Sequence, residues 1–113
     1  MTRLLTIRDV QRIIQQTGIE ACFQSLVDSL EKDFSHWHDF QKMPRIANHF
    51  PHGVIELMPI CGKDYYAYKY VNGHPYNPQK NKLTVIATGM LADIETGYPV
   101  LISEMTLLTA LRT

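Results

Sequence analysis

GVIELMPICGKDYYAYKYVNGHPYNPQKNKLTVIATGMLADIETGYPVLISEM, residues Gly53–Met105, decides how this chain folds. Four apolar segments in it alternate at period two, the signature of half-buried strands. They run from Gly53 to Ile60, where Pro59 and the Cys61–Asp64 turn end the first, from Tyr65 to Val71, from Leu83 to Asp93 with an interruption at Gly89, and from Tyr98 to Glu104. Glu95, Thr96 and Gly97 join the last two as a hairpin. Between the second and third lies an Asn/Gly/Pro-rich loop too long for a tight turn.

Two charges sit inside these strands. Side chains two residues apart point the same way, so Glu56 joins Val54 and Met58, and Lys69 joins Ala67 and Val71. An uncompensated ion on so apolar a face is costly. From the pattern alone, two readings stand side by side. Glu56 and Lys69 form an ion pair across adjacent strands, or they belong to a site whose ligand completes the charge balance.

Working outward, PRIANHF (Pro44–Phe50) offers a further strand with Arg45 and Ala47 on one face. Before it the period changes to that of helices. Leu4 and Leu5 suit a short strand, and Thr6 with Asp9 resembles a capping box. Ile7, Val10, Ile13 and Ile14 then make a helix that Gly18 stops. Ile19, Cys22, Phe23, Leu26, Val27, Leu30, Phe34 and Trp37 make one apolar stripe on a second helix covering the sheet. At the other end, Ser103 or Thr106 caps a helix from Leu107, which stops at Thr113 with no closing Gly, Pro or cap. The expectation is an α+β domain spanning 1–113, N-terminal helices on a mainly antiparallel sheet, cut in mid-helix.

Composition narrows the classes. Eleven basic and eleven acidic residues balance to zero, without a basic block to bind nucleic acid. No apolar run approaches the roughly 20 residues that span a bilayer, and the start lacks a signal-peptide pattern, so the plain expectation is a cytoplasmic protein. Cys22 and Cys61 are read as reduced structural thiols. His36, His38, His49, His52 and His74 show H-x-H and H-x-x-H spacings, but no Cys or carboxylate completes a ligand set. No metal is expected. The tyrosine face, Tyr66, Tyr68 and Tyr70, reads as packing or an interface.

GVIELMP (Gly53–Pro59), YAYKYVNGHP (Tyr66–Pro75), the segment Leu83–Met105 and TALRT (Thr109–Thr113) resemble the ornithine cyclodeaminase/mu-crystallin family. The first fifty residues resemble it only in their pattern of helices. The resemblance implies a substrate-binding and dimerisation domain whose sheet pairs with its twin, followed in the family by a Rossmann domain that holds NAD. No G-x-G-x-x-G occurs in this sequence, so the expectation is a truncated chain without the Rossmann domain. NAD is expected to serve a full-length protein and not to bind this chain alone.

The family's reaction converts L-ornithine to L-proline and ammonia. Carried over residue by residue, the resemblance gives Arg45, Lys69 and Arg112 the substrate carboxylate, and Thr84 and Arg112 a place at the cofactor. Glu56, with Lys69, becomes a candidate for proton handling and for positioning the amine. The second carboxylate implied by the family, an Asp, falls in the missing domain. The alternative is a non-catalytic dimerisation or ligand-binding module, mu-crystallin-like or a truncated product. Residues that would tell ornithine from lysine are not identifiable in the sequence.

Overall fold

Local chemistry sets the helical half. In the computed structural model, which describes Met1–Thr113, Thr6 and Asp9 form the expected capping box: the Asp9 N–H donates to Thr6 Oγ1 at 3.3 Å and the Thr6 N–H to Asp9 Oδ2 at 2.9 Å. Two of the N–H groups that a helix start leaves orphaned are thereby satisfied. Helix α1 runs Ile7–Thr17 and helix α2 runs Ile19–Ser35. Between them Gly18 adopts φ +90°, a conformation that favours a residue without Cβ. Its N–H still donates to Ile14 O at 2.8 Å, while its own carbonyl accepts from the Cys22 N–H at 3.0 Å.

The sheet has seven strands: β1 (Arg3–Leu5), β2 (Gln41–Lys42), β3 (Ile46–Phe50), β4 (Gly53–Cys61), β5 (Tyr65–Gly73), β6 (Ala87–Asp93) and β7 (Pro99–Glu104). The order is β1-β7-β6-β5-β4-β2, with β3 also on β4, and only the β1–β7 pair is parallel. This is the expected α+β arrangement. One cross-strand row reads Met58, Lys69, Gly89, Ser103 and Leu5. The next reads Ala47, Glu56, Val71 and Ala87. Both rows face α1, α2 and the last helix, α3 (Thr106–Arg112). Tyr66, Tyr68 and Tyr70 alternate onto the opposite face.

Several boundaries differ from the expectation, each for a physical reason. Pro59 does not end β4, which continues to Cys61. Met58 and Pro59 fall opposite the break between β2 and β3, where a residue without an N–H loses no ladder bond on that side. Strand β6 begins at Ala87 rather than Leu83, because Thr84 and Ile86 meet other partners. The Thr84 carbonyl accepts from the His74 N–H at 2.9 Å, and the Ile86 N–H donates to Asn72 Oδ1 at 2.6 Å. Helix α2 ends at Ser35, where Ser35 Oγ donates back to the Lys32 carbonyl at 2.7 Å. Trp37 thus lies in a separate 3₁₀ turn, Trp37–Asp39.

Neither Ser103 nor Thr106 caps α3 with its side chain. Glu104 does that work instead, its Oε1 accepting from the Thr106 N–H, while Thr106 Oγ1 accepts from the Ala87 N–H at 3.0 Å. Helix α3 is thereby bolted to β6. Gly89 makes the close approach possible without interrupting the strand. A Cβ there would overlap the Met105 sulfur and lie 3.3 Å from the Tyr68 carbonyl oxygen.

Only Ala87, Gly89 and Ala92 are buried. Helix α2 brings Cys22, Leu26 and Leu30 against the sheet to intermediate depth, while Phe23, Val27 and Phe34 from the same stripe stay exposed. On the tyrosine face Ile46, Phe50 and Tyr70 are exposed as well. No helix is long and apolar enough to cross a membrane.

Candidate functional site

Lys69 stands mid-strand in the row Met58–Lys69–Gly89, and the absent side chain at Gly89 leaves room beside it for the start of α3. Arg112 approaches from the last turn of that helix. Arg45 precedes β3, and its Nη1 donates to Glu56 Oε2 at 3.0 Å. That is the only salt bridge in the chain, so the Glu56–Lys69 ion pair is not formed. The register explains why. Lys69 lies opposite Met58, Glu56 lies opposite Val71, and Ala47 across from Glu56 brings Arg45 to its other side.

Lys69 is therefore a cation without a partner. Its pKa is held below the ordinary 10.5 first by burial, then by the positive charges of Arg112 and Arg45, with Glu56 pulling the other way. Arg112 and Arg45 thus oppose the charge on Lys69 and Glu56 favours it, while Asp33 and Glu104 stand in the walls of the two cavities beside it. Half-buried positive charge without an acceptor is unfavourable, and an anionic ligand would relieve it. A planar carboxylate suits two guanidinium forks and an ammonium point charge.

Two cavities meet at this lysine. The larger, about 620 Å³, lies between the sheet and α1 and α2, is almost wholly apolar, and lacks Arg112. The second, about 420 Å³, is lined by both Lys69 and Arg112, with Asp33, Phe34, Trp37, Phe40 and Met58 among its walls. Arg45 and Glu56 line neither, and Arg45 is 53% exposed against 21% for Glu56.

The structure thus brings Arg45, Glu56, Lys69 and Arg112 into one electrostatic neighbourhood. Thr84 lines neither cavity and sits instead beside His74, just beyond the end of β5. The tyrosines lie on the far face. No three His, Cys, Asp or Glu side chains gather to hold a metal, and both cysteines are free. His36 Nδ1 approaches the Lys32 carbonyl at 3.0 Å, His74 Nδ1 lies 2.8 Å from Asn72 Nδ2, and His52 packs edge-on against Tyr76.

Asp33, Trp37, Phe40 and Met58 carry no site signal in the sequence, yet all four line the second cavity. Trp37 and Phe34 look like ordinary covering residues at helical spacing, and only the helix break at Ser35 turns the indole into a cavity wall.

The sequence profile of the ornithine cyclodeaminase/mu-crystallin family matches residues 8–113. This chain belongs to that family. It is 48% identical over 109 residues to the ornithine cyclodeaminase of Agrobacterium fabrum, a match covering 96% of this chain and 31% of that protein. A lysine cyclodeaminase, described for its recognition of L-lysine, L-ornithine and L-2,4-diaminobutyric acid, superposes with a TM-score of 0.90. The two are 25% identical, over 98% of this chain and 35% of the other. An archaeal alanine dehydrogenase dimer with bound NAD gives 0.79 at 29% identity, over 98% and 33% of the two chains. The chain spans about a third of the length of these relatives. The cyclodeaminase similarity begins near the first helix, so the first fifty residues share sequence and not merely a pattern of helices with the family.

The lone charge of Lys69 yields a stability prediction. With its pKa lowered on folding, the unfolded chain binds more protons between the folded value and 10.5, so stability rises with pH across that window. Lys69→Met removes the penalty and leaves Glu56 with Arg45. The variant should melt at or above the parent temperature at pH 7, and the difference should shrink towards pH 10. A drop of several degrees at pH 7 would show Lys69 to be a structural partner after all.

Proposed function

We propose that these residues form the substrate half of an NAD-dependent ornithine cyclodeaminase, which converts L-ornithine to L-proline and ammonia. The observation that carries this reading is Lys69, a cation with no salt-bridge partner, set near Arg45 and Arg112 while Glu56 is already held by Arg45. Identity of 48% to an ornithine cyclodeaminase supports it.

In this reading Lys69 and Arg112 take the α-carboxylate from within the second cavity, and Arg45 completes the clamp from the edge of the sheet. Arg45 arrives oriented, because Glu56 Oε2 fixes its guanidinium at 3.0 Å. Glu56 Oε1 makes no hydrogen bond to the protein, and we assign it to the substrate's amino groups, to position the amine and accept a proton. The δ-nitrogen closes onto the α-carbon as ammonia leaves, so the chain must hold the carboxylate fixed while the rest of the substrate folds back on itself. Clamping one end in this way is what orientation contributes to a ring closure.

The fit of this chain to NAD is partial. Arg112 has no salt-bridge partner and the Thr84 hydroxyl makes no hydrogen bond, so each is free to meet an edge of the cofactor. No Gly-rich turn leads into a helix to cradle a pyrophosphate. Bound in a longer protein, NAD would supply the hydride acceptor and return that hydride, with no net redox change. The isolated 113 residues should neither bind NAD nor make proline, and calorimetry giving a low-micromolar dissociation constant would refute this.

The clamp itself is tested by substitution in the gene product that carries these residues. Lys69→Met or Arg112→Ala removes a charge-assisted hydrogen bond of roughly 1.5 to 3 kcal/mol, so ornithine affinity should fall about ten- to a hundredfold. Unchanged affinity in both variants would remove the carboxylate from this site.

We also assign the exposed Tyr70, Ile46 and Phe50 face of the sheet to a homodimer, because apolar sheet surface of this kind is ordinarily covered. The alanine dehydrogenase of the same fold is a dimer. Sedimentation should give twice the chain mass, and a clean monomer at high micromolar concentration would contradict the assignment.

A further inference from the structure

The second cavity holds more than a carboxylate clamp. Once Lys69 and Arg112 take the charged end of an amino acid, the side chain must occupy the remaining volume, whose lining is largely apolar and aromatic. What limits its length is whichever wall cannot give way. Phe34 and Trp37 are both partly open to solvent, at 58% and 42% exposure, and they differ in what holds their backbone. Trp37 is held chiefly by Lys42, which anchors both its backbone and its ring. Its ring stacks on Phe34 with centroids 5.3 Å apart, and Lys42 Nζ lies 4.8 Å over the ring. The same ammonium donates to the Trp37 carbonyl at 2.7 Å and the Phe40 carbonyl at 3.2 Å, locking the 3₁₀ turn that carries the indole.

Size discrimination needs a rigid boundary, because a yielding wall accommodates the longer ligand at little cost. We propose that Trp37 sets the side-chain length admitted to the Lys69–Arg112 cavity, favouring a linear diamino acid of ornithine's length over the homologue longer by one methylene. Trp37 is then the residue that separates ornithine from lysine. This rests on the reading of Lys69 and Arg112 as the carboxylate clamp.

The test uses the gene product carrying these residues, with NAD present, and the affinities of L-ornithine and L-lysine measured side by side. Trp37→Ala should raise the lysine-to-ornithine affinity ratio by roughly tenfold, the lower end of what one methylene is worth in an apolar site. Trp37→Phe keeps a ring on the same turn and should shift the ratio less than Trp37→Ala does. Melting temperatures of both variants confirm that the turn still folds, and should Trp37→Ala unfold, the intermediate ratio of Trp37→Phe decides alone. An unchanged ratio in folded variants that still bind ornithine overturns the role of Trp37. Lys69→Met separates that failure from a failure of the clamp, since it should weaken both ligands equally whatever Trp37 does. If Lys69→Met weakens neither, the clamp is wrong and the inference falls with it.

Discussion

The ion pair between Arg45 and Glu56 determines what Lys69 can be. Strand register gives Glu56 a choice of cations on either side, and the carboxylate is satisfied at 3.0 Å by the one that precedes β3. Had Glu56 closed on Lys69, both charges would have been structural and the sheet face electrically quiet. With Arg45 as the partner, the central lysine is left without an ionic partner in the chain. The pair is partly open to water, where such an ion pair is worth about 1 kcal/mol or less. Its consequence is therefore geometric: one guanidinium fixed in place and one ammonium left over.

The placement of Arg112 depends on a second chain of contacts, and every link is short-range. Gly89 has no Cβ, so Met105 can lie over β6. The Met105 N–H donates to the Ala87 carbonyl at 2.8 Å, and the Ala87 N–H donates to Thr106 Oγ1 at 3.0 Å. Glu104 caps the first turn of α3. Two turns later Arg112 reaches the cavity that Lys69 lines. A helix of seven residues has little stability alone. Here the sheet holds its first turn, which fixes the direction along which the guanidinium is delivered.

Much of this was legible in the sequence, and the exceptions share a cause. Period-two alternation located β4, β5 and β7 and put Glu56 and Lys69 each on the apolar side of its own strand, because strand parity is a local property. The capping box at Thr6 and the break at Gly18 are local as well. What failed was decided by partners distant in sequence. Pro59 stays in its strand because a neighbouring strand is interrupted there. Leu83–Ile86 leaves the sheet because Asn72 and His74 claim its backbone. The pairing of Glu56 was undecidable from pattern, since Arg45 and Lys69 are equally good acids' partners until the register is known. Trp37 was hidden for a related reason: its spacing fits the α2 stripe, and nothing in the spacing shows that the helix stops two residues earlier.

Exposure also shapes how strong the site can be. Arg45 is half in water and Arg112 is exposed, and a charge–charge interaction at 4 Å falls from about 4 kcal/mol at an effective dielectric of 20 to about 1 kcal/mol in bulk water. The cations therefore attract a carboxylate modestly until water is excluded from around them. Within this chain the second cavity offers that exclusion on one side, through Met58, Leu108 and the aromatic wall. A ligand with an aliphatic chain would complete it by displacing water from the same walls as its carboxylate meets Lys69. Affinity and selectivity then draw on one event. Under the proposed clamp, methylenes filling the cavity up to Trp37 would also lower the dielectric around Lys69, so a side chain too short to fill the space would weaken its own carboxylate contacts as well as its apolar ones.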